Sequence, residues 1–422
     1  MHMNSSEITA PLAGVRVIDM ASVLMGPVAT QILGDYGADV VKIEAPEGDV
    51  MRHATAARHP LMGAMYLSTG RNKRSVVLDI KKPEGKAAVL RLCESADLFI
   101  HNVRPAAMRR AGLAYEDVRT VNPSIVYVAL VGFGQDGPYA ERPALDDIIQ
   151  AASGLAGLFV RAGQREPCFV PANLCDRMTG LAAAHAAIAA LYMRQRTGQG
   201  QSIEVPMFET LAQTILGDHL NGEAFIPATA GTGYNRLLNA HRRPLRTQDG
   251  YIAMTPYSDK QFRAFFAAIG KTAEFDADHR INHHAARALN YDVAYAKLAE
   301  IVATRSTAQW VSLCQANEIP CQKVNTIEDV LADPHLQQTG FFQQVEHPTE
   351  GRIRLMRHAA RWSAADVSVR RLPPCVGEHS VQVLREAGYS DAEIDHMLQN
   401  GVTAQAVDPS PGAAGAVPTS ER

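Results

Sequence analysis

The chain has 422 residues, 46% hydrophobic and 20% charged, with 41 basic against 44 acidic side chains and a net charge of −3. At about 150 residues per domain this predicts two to three domains with ample apolar material for a core. The balanced charge, without a basic block, excludes a protein that tracks nucleic acid. No window of 18 uncharged apolar residues occurs and the start, MHMNSSEITAPLAG, lacks the regions of a secretory signal, so neither a membrane span nor secretion is expected. The six cysteines form no CxxC pair and read as reduced thiols of a cytoplasmic enzyme.

In chain order, VRVIDM predicts a strand and GPVATQILGDYG a helix, with Pro27 in its first turn and Gly37 at its end. ADVVKIE is a second strand. SVVLDI, a helix over Pro83–Ser95 and DLFIH repeat the unit, and a helix near Glu116 leads into SIVYVALV. Short β-branched runs alternating with helices predict a parallel sheet covered on its faces. Residues 146–157 and the alanine-rich stretch 173–195 read as helices, QSIEV as a strand, and Pro206 opens a further helix. The periodicity breaks over 222–248, around Gly231 and Gly233. YIAMT then starts a mainly helical unit, and FFQQVEHP and GRIRLM return to strand-like alternation.

The expected organisation is α/β: the first part of a large parallel-sheet domain over residues 11–221, then a linker and smaller α/β domain over 222–335. The chain is expected to return to the large domain over 336–400. The tail 401–422 holds no Leu, Ile or Phe and is expected to be disordered.

Gly132-Phe133-Gly134-Gln135-Asp136-Gly137 is a literal GxGxxG after a strand. A dinucleotide fingerprint needs a helix opening at its third glycine, but Pro138 and Pro143 follow, so a turn-forming loop is the better reading. No HExxH, Walker, GxSxG or EF-hand pattern occurs. Cys175 has no histidine near it in sequence and reads as a buried thiol. Asp176 would stand at position N3 of the alanine-rich helix if Asn173 is its N-cap, where a carboxylate favours the helix dipole. On spacing alone this is a structural role. Lys73, Arg74, Lys81, Lys82, Arg104, Arg109 and Arg110 fall at strand ends and helix starts. Ligands of parallel sheets sit beyond the carboxyl ends of strands, so these residues suit either a small phosphate-bearing anion or an ordinary solvated face.

Taken together, PLAGVRVIDM, GPVATQILGDYGADVVKIEAPEGD, NKRSVVLDIKKPEGK, ADLFIHNVRPAAMRRAGL, NPSIVYVALVGFGQDGP, DDIIQAASGL, CDRMTG, RTGQGQSIEV and GEHSVQVLREAGYSDAEI span about residues 11–398. In this order they resemble the class III coenzyme A transferases, the family of formyl-CoA and carnitine-CoA transferases and acyl-CoA racemases. The resemblance implies a large Rossmann-like domain, a small domain and an interlocked homodimer. It implies that Asp176 is the catalytic carboxylate and that Leu24, Met25, Asp79, Lys81, Asn102, Val103, Arg104 and Arg110 contact coenzyme A. Two positions that are basic in some members are Ala45 and Pro143 here, and Gly231 and Gly233 are the nearest counterparts of a glycine-rich loop. No cofactor is expected to be bound permanently, acyl-CoA being a substrate.

The implied reaction moves coenzyme A from an acyl-CoA to a free carboxylic acid through mixed-anhydride and aspartyl-CoA thioester intermediates on Asp176. The helix N-terminus is expected to lower the Asp176 pKa. The rival reading, an acyl-CoA racemase or epimerase of the same fold, requires a histidine just before the aspartate that opens the DDII helix; that position is Leu145. Succinyl-CoA and a small dicarboxylate fit if Arg236, Arg242 and Arg243 bind carboxylates; a solvated basic loop is the alternative.

Overall fold

In a computed structural model, residues 10–406 are described. Residues 1–9, and residues 407–422 of the expected tail, lie outside them. The described chain forms two compact units.

The first unit comprises residues 10–149, Ala172–Leu211 and 337–406. Its sheet runs β1 (Arg16–Asp19), β2 (Asp39–Glu44), β3 (Lys73–Val77), β4 (Leu98–His101), β5 (Val126–Val131) and β6 (Gln201–Pro206), in the order β3-β2-β1-β4-β5-β6. Every pairing is parallel. The connecting helices are α1 (Met25–Asp35), α2 (Ala64–Thr69), α3 (Pro83–Cys93), α4 (Pro105–Ala111) and α5 (Tyr115–Val121), followed by α6 (Asp146–Ala152) and, after α7 (Leu155–Arg161) in the second unit, by α8 (Leu174–Thr197). The order reverses between β1 and β4, which opens a crevice at the carboxyl ends of the strands.

The strands read as nearly continuous apolar runs because both faces are buried. Alternate residues divide between two cores, as the two-residue strand period requires. Ile18, Val41, Val76, Phe99 and Tyr127 face one core with residues of α3 and α5 and of two C-terminal helices, Ser380–Glu386 and Asp391–Gln399. Val17, Val40, Ile100, Val126 and Val128 face the other, with α1 and α8. The alanines of α8 serve this second core: Ala183, Ala184, Ala187 and Ala190 are all buried. Gly180 allows α8 to approach α1 closely, since a Cβ there would lie 2.7 Å from the Met25 carbonyl oxygen.

Three expectations change. Residues 146–157 do not form one helix, because Gly154 takes a φ of +85° and separates α6 from α7. Residues 150–171 cluster with the second unit rather than the first. Residues 401–406 are ordered: Val402 is buried in the first core, and the Thr403 hydroxyl donates to the Val77 carbonyl at 2.6 Å. The lone valine and threonine of this stretch suffice where a composition average suggests disorder. The strand-like stretches near 341–356 form an antiparallel hairpin, Phe342–His347 with Gly351–Met356.

The second unit comprises Gln150–Pro171 and Ala212–Leu336. It carries a three-stranded antiparallel sheet of Leu245–Arg246, Tyr251–Met254 and Cys321–Lys323. Helices Asp259–Ala268, Tyr291–Val302 and Thr307–Ala316 cover it through Phe265, Phe266, Leu298 and Trp310.

Candidate active site

The loops that leave β1, β2, β3 and β4 line a cavity of about 420 Å3 at the carboxyl ends of those strands. Met20, Ala21 and Ser22 come from the first loop, Ala45 to Val50 from the second, Leu78 to Lys81 from the third and Val103 from the fourth. Three of the expected contacts, Asp79, Lys81 and Val103, therefore meet in one cavity. Asn102 stands beside them as a brace: its Nδ2 donates to the Ser22 carbonyl at 2.8 Å and its Oδ1 accepts from the Ser22 amide at 2.9 Å. Leu24 and Met25 are buried where that loop enters α1. Arg104 is the N-cap of α4 and Arg110 lies in its last turn; both are exposed and neither lines the cavity. Ala45 does line it, so no cation is supplied at that position.

The Asp79–Lys82 turn is held from two sides. The Asp79 amide donates to the Val402 carbonyl at 2.8 Å, and Lys82 Nζ donates to the carbonyls of Asn400 and Gly401. Gly85 lets α3 close on the same turn, since a Cβ there would lie 2.1 Å from the Asp79 carbonyl oxygen. The ordered residues after 400 thus brace the loop that carries Asp79 and Lys81.

Asp176 stands at N3 of α8 with Asn173 as N-cap, as its spacing predicts, but Asn173 makes no side-chain cap. One of the unpaired amides of the first turn is instead met by a second carboxylate: Asp176 N–H donates to Asp146 Oδ2 at 3.0 Å. Burial first, and the Asp146 charge second, push the Asp176 carboxyl from 3.8 up to about 6; Arg177 opposes this weakly. The expected lowering by the helix N-terminus is thereby overturned. A dipole worth a fraction of a charge is outweighed by desolvation and a neighbouring carboxylate. Asp146 was legible only as a helix-opening residue, because its partnership spans thirty positions of sequence.

The other candidates resolve simply. Cys175 is buried, and burial together with Asp146 and Asp176 pushes its thiol up to about 12, so it is no thiolate nucleophile. The glycine loop 132–137 opens no helix, and two of its amides are taken by the chain's own carboxylates: Gly134 N–H donates to Glu209 and Gln135 N–H to Glu204, each at 2.9 Å. Leu145 is 70% exposed. In the second unit, Arg161 donates to Thr232 and would meet any Cβ at Gly233, whereas Gly231 is open. Arg242 and Arg243 are exposed, and Arg236 lies 5.5 Å over the Tyr257 ring. Among the described residues no cluster of three or more His, Cys, Asp or Glu side chains could hold a metal ion, and no helix is long and apolar enough to cross a membrane.

A parallel sheet of this order, a loop-built cavity at its switch point and a half-buried carboxylate that forms no ion pair among the described residues place the chain in the doubly wound α/β class. Residues 12–380 match the model of CoA-transferase family III, and the chain belongs to that family. It is an enzyme that transfers coenzyme A between an acyl-CoA and a carboxylate. The chain is similar to the succinate–glutarate CoA-transferase of Agrobacterium fabrum, 33% identical over 393 residues covering 89% of this chain and 95% of that one. It is also similar to the human succinyl-CoA:glutarate CoA-transferase, 31% identical over 401 residues, 94% of this chain and 90% of that one. Among solved structures, a CAIB/BAIF family protein from Brucella suis superposes with a TM-score of 0.76 at 30% identity, covering 90% of this chain and all of that one.

Proposed function

We propose that Asp176 is the nucleophile of this transfer and that the acids exchanged are small dicarboxylates, with succinyl-CoA as donor. The observation that carries the reading is the Asp176–Asp146 pair. A carboxylate with its pKa raised to about 6 is ionised at neutral pH and more basic than an ordinary aspartate, which favours attack on a thioester.

In this mechanism an Asp176 oxygen forms a bond to the thioester carbonyl carbon, and the C–S bond breaks to give a mixed anhydride and coenzyme A thiolate. The thiolate attacks the aspartyl carbonyl, which releases the donor acid and leaves an aspartyl-CoA thioester. An acceptor carboxylate then repeats both steps in reverse. Thioester and anhydride exchange among carboxylates, so no ATP and no resident cofactor is required. Asp79, Lys81, Asn102 and Val103 at the loop cavity, with Leu24, Met25, Arg104 and Arg110, are assigned to coenzyme A. The two compact units are assigned as the large and small domains of an interlocked cytoplasmic homodimer. The dicarboxylate reading is supported by the succinyl and glutarate specificities in the names of the relatives.

The racemase alternative lacks its histidine at Leu145. Incubation with a 2-methylacyl-CoA in deuterium oxide, followed by addition of a free dicarboxylic acid, separates the two. Transfer predicts no deuterium at the α-carbon and redistribution of coenzyme A on adding the acid. Rapid deuterium uptake without acceptor would replace the transferase reading by the racemase one.

A further inference from the structure

We propose that the buried Lys42–Asp49 pair is a positioning device that holds the turn Ser22–Leu24 in a strained left-handed shape, so that Leu24 and Met25 are presented to acyl-CoA. The turn carries the strain in plain form. Val23 has a φ of +67°, a conformation that a β-branched residue rarely takes. Such a residue stays there only if its surroundings over-determine it.

The surroundings do so. Val23 N–H donates to Asp49 Oδ1 at 3.2 Å, and Lys42 Nζ donates to the Ala21 carbonyl at 2.8 Å. The two side chains are joined to each other, Lys42 Nζ to Asp49 Oδ2 at 2.8 Å, and both are almost completely buried. Asn102 clamps Ser22 between them, and Asp19 Oδ1 accepts the Ala21 amide at 3.0 Å. Asp49 is itself fixed, since its own amide donates to Glu44 Oε2, which Arg52 also holds. The charges of this interior balance: Lys42, Lys73 and Arg52 face Asp19, Glu44 and Asp49.

Balance of charge alone would not call for ions here. A buried ion pair is commonly replaceable by apolar side chains of similar volume without loss of stability. What an apolar pair cannot do is accept the Val23 amide and donate to the Ala21 carbonyl. The ions of this pair are therefore placed where the backbone of the turn needs partners, directly before the residues assigned to coenzyme A. That last link rests on the assignment made above.

The test has two arms. Hydrogen exchange on the unmodified protein should show the amides of Ala21, Ser22 and Val23 protected as well as those of β1, although they lie between strand and helix. Exchange at the rate of an open loop would overturn the proposal, and this arm needs no variant to fold. In the second arm, Lys42→Met combined with Asp49→Leu should leave a folded protein whose KM for acyl-CoA rises about tenfold with a smaller fall in kcat. Adding Val23→Gly, a residue that enters the left-handed region freely, should recover at least threefold of that KM. Unchanged kinetics in the double variant, or a loss that Val23→Gly does not reduce, would overturn it. Transfer by the unmodified protein is measured alongside. Its absence with every donor would fail the functional reading, which the exchange arm does not use, whereas transfer indifferent to the pair overturns the positioning proposal alone.

Discussion

The first unit holds two groups of carboxylates with opposite electrostatics. Around Lys42, Lys73 and Arg52, the carboxylates Asp19, Glu44 and Asp49 are each within 3.1 Å of a cation. Burial raises the Glu44 pKa, but Arg52, Lys42 and the Ser75 hydroxyl outweigh it and bring the carboxyl from 4.5 down to about 2. Lys42 is driven the other way by the same logic: burial lowers its pKa, yet Asp19, Asp49 and Glu44 together lift it above that of ordinary lysine. At Asp176 the near charges are Asp146, of like sign, and Arg177, whose effect is the weaker. Burial and repulsion then add, and the pKa climbs to about 6. The difference teaches how the neighbour sets the sign of the shift: carboxylates held by cations are brought down, whereas Asp176, set beside another carboxylate, is pushed up.

The strongest way to break this comparison is at Asp176. Asp176→Ala and Asp176→Asn should each cut coenzyme A transfer by roughly 10⁴-fold or more, as loss of a covalent nucleophile does, with the fold intact. Near-normal turnover in either purified variant would remove Asp176 from the chemistry. At the other group the effect should fall on stability instead. Arg52→Met leaves Glu44 buried without its bidentate partner, and urea unfolding should show a loss of about 3–5 kcal/mol. A loss below about 1 kcal/mol would mean that Glu44 finds another partner or takes up a proton.

The two groups should also respond to pH with opposite signs. Asp176 binds its proton more tightly folded than unfolded, so its ionisation weakens the fold as pH rises from about 3.8 through about 6. Asp176→Asn should therefore be the more stable protein above pH 6, by up to about 2–3 kcal/mol, with the gain vanishing below pH 4. Glu44 binds its proton less tightly when folded, so its contribution is full above 4.5 and is lost as pH falls toward about 2. In kinetics, kcat/KM should fall about tenfold per unit below pH 6, and Asp146→Asn should move that limb to lower pH. A limb that stays in place would show that Asp146 does not perturb the reacting group.

The smallest effects concern the cavity rim. Lys81→Ala should raise KM for acyl-CoA several-fold with little change in kcat, the outcome expected of a proposed contact that serves ground and transition states alike. Arg110→Ala should do less, since Arg110 is exposed and does not line the cavity. Equal penalties with a truncated thioester that lacks the nucleotide would move both residues away from the coenzyme A phosphates.

Much of this was legible in residue order. The β-branched runs marked the strands of the parallel sheet to within a few residues, because burial on both faces leaves a local signature in composition. Gly154 was present in the sequence as a helix breaker, yet its left-handed φ emerged only in place. The segment 150–171 joins the second unit through contacts such as Arg161 with Thr232 and Gly163 against Ala240, some seventy residues away in sequence. No local period carries that information.

What the sequence by itself determined is the parallel α/β sheet, the position of Asp176 at N3 of its helix and the family motifs, all of which depend on near neighbours and on residue types at fixed spacing. The tertiary structure alone decided the Asp176 pKa, the brace that residues 400–403 apply to the Asp79–Lys82 turn and the strain at Val23. Each of these depends on charges or backbone groups that distant segments bring within a few ångströms: Asp146 for Asp176, Val402 for Asp79, Asp49 for Val23. Electrostatic energy and hydrogen bonding follow distance in space, and separation along the chain sets neither.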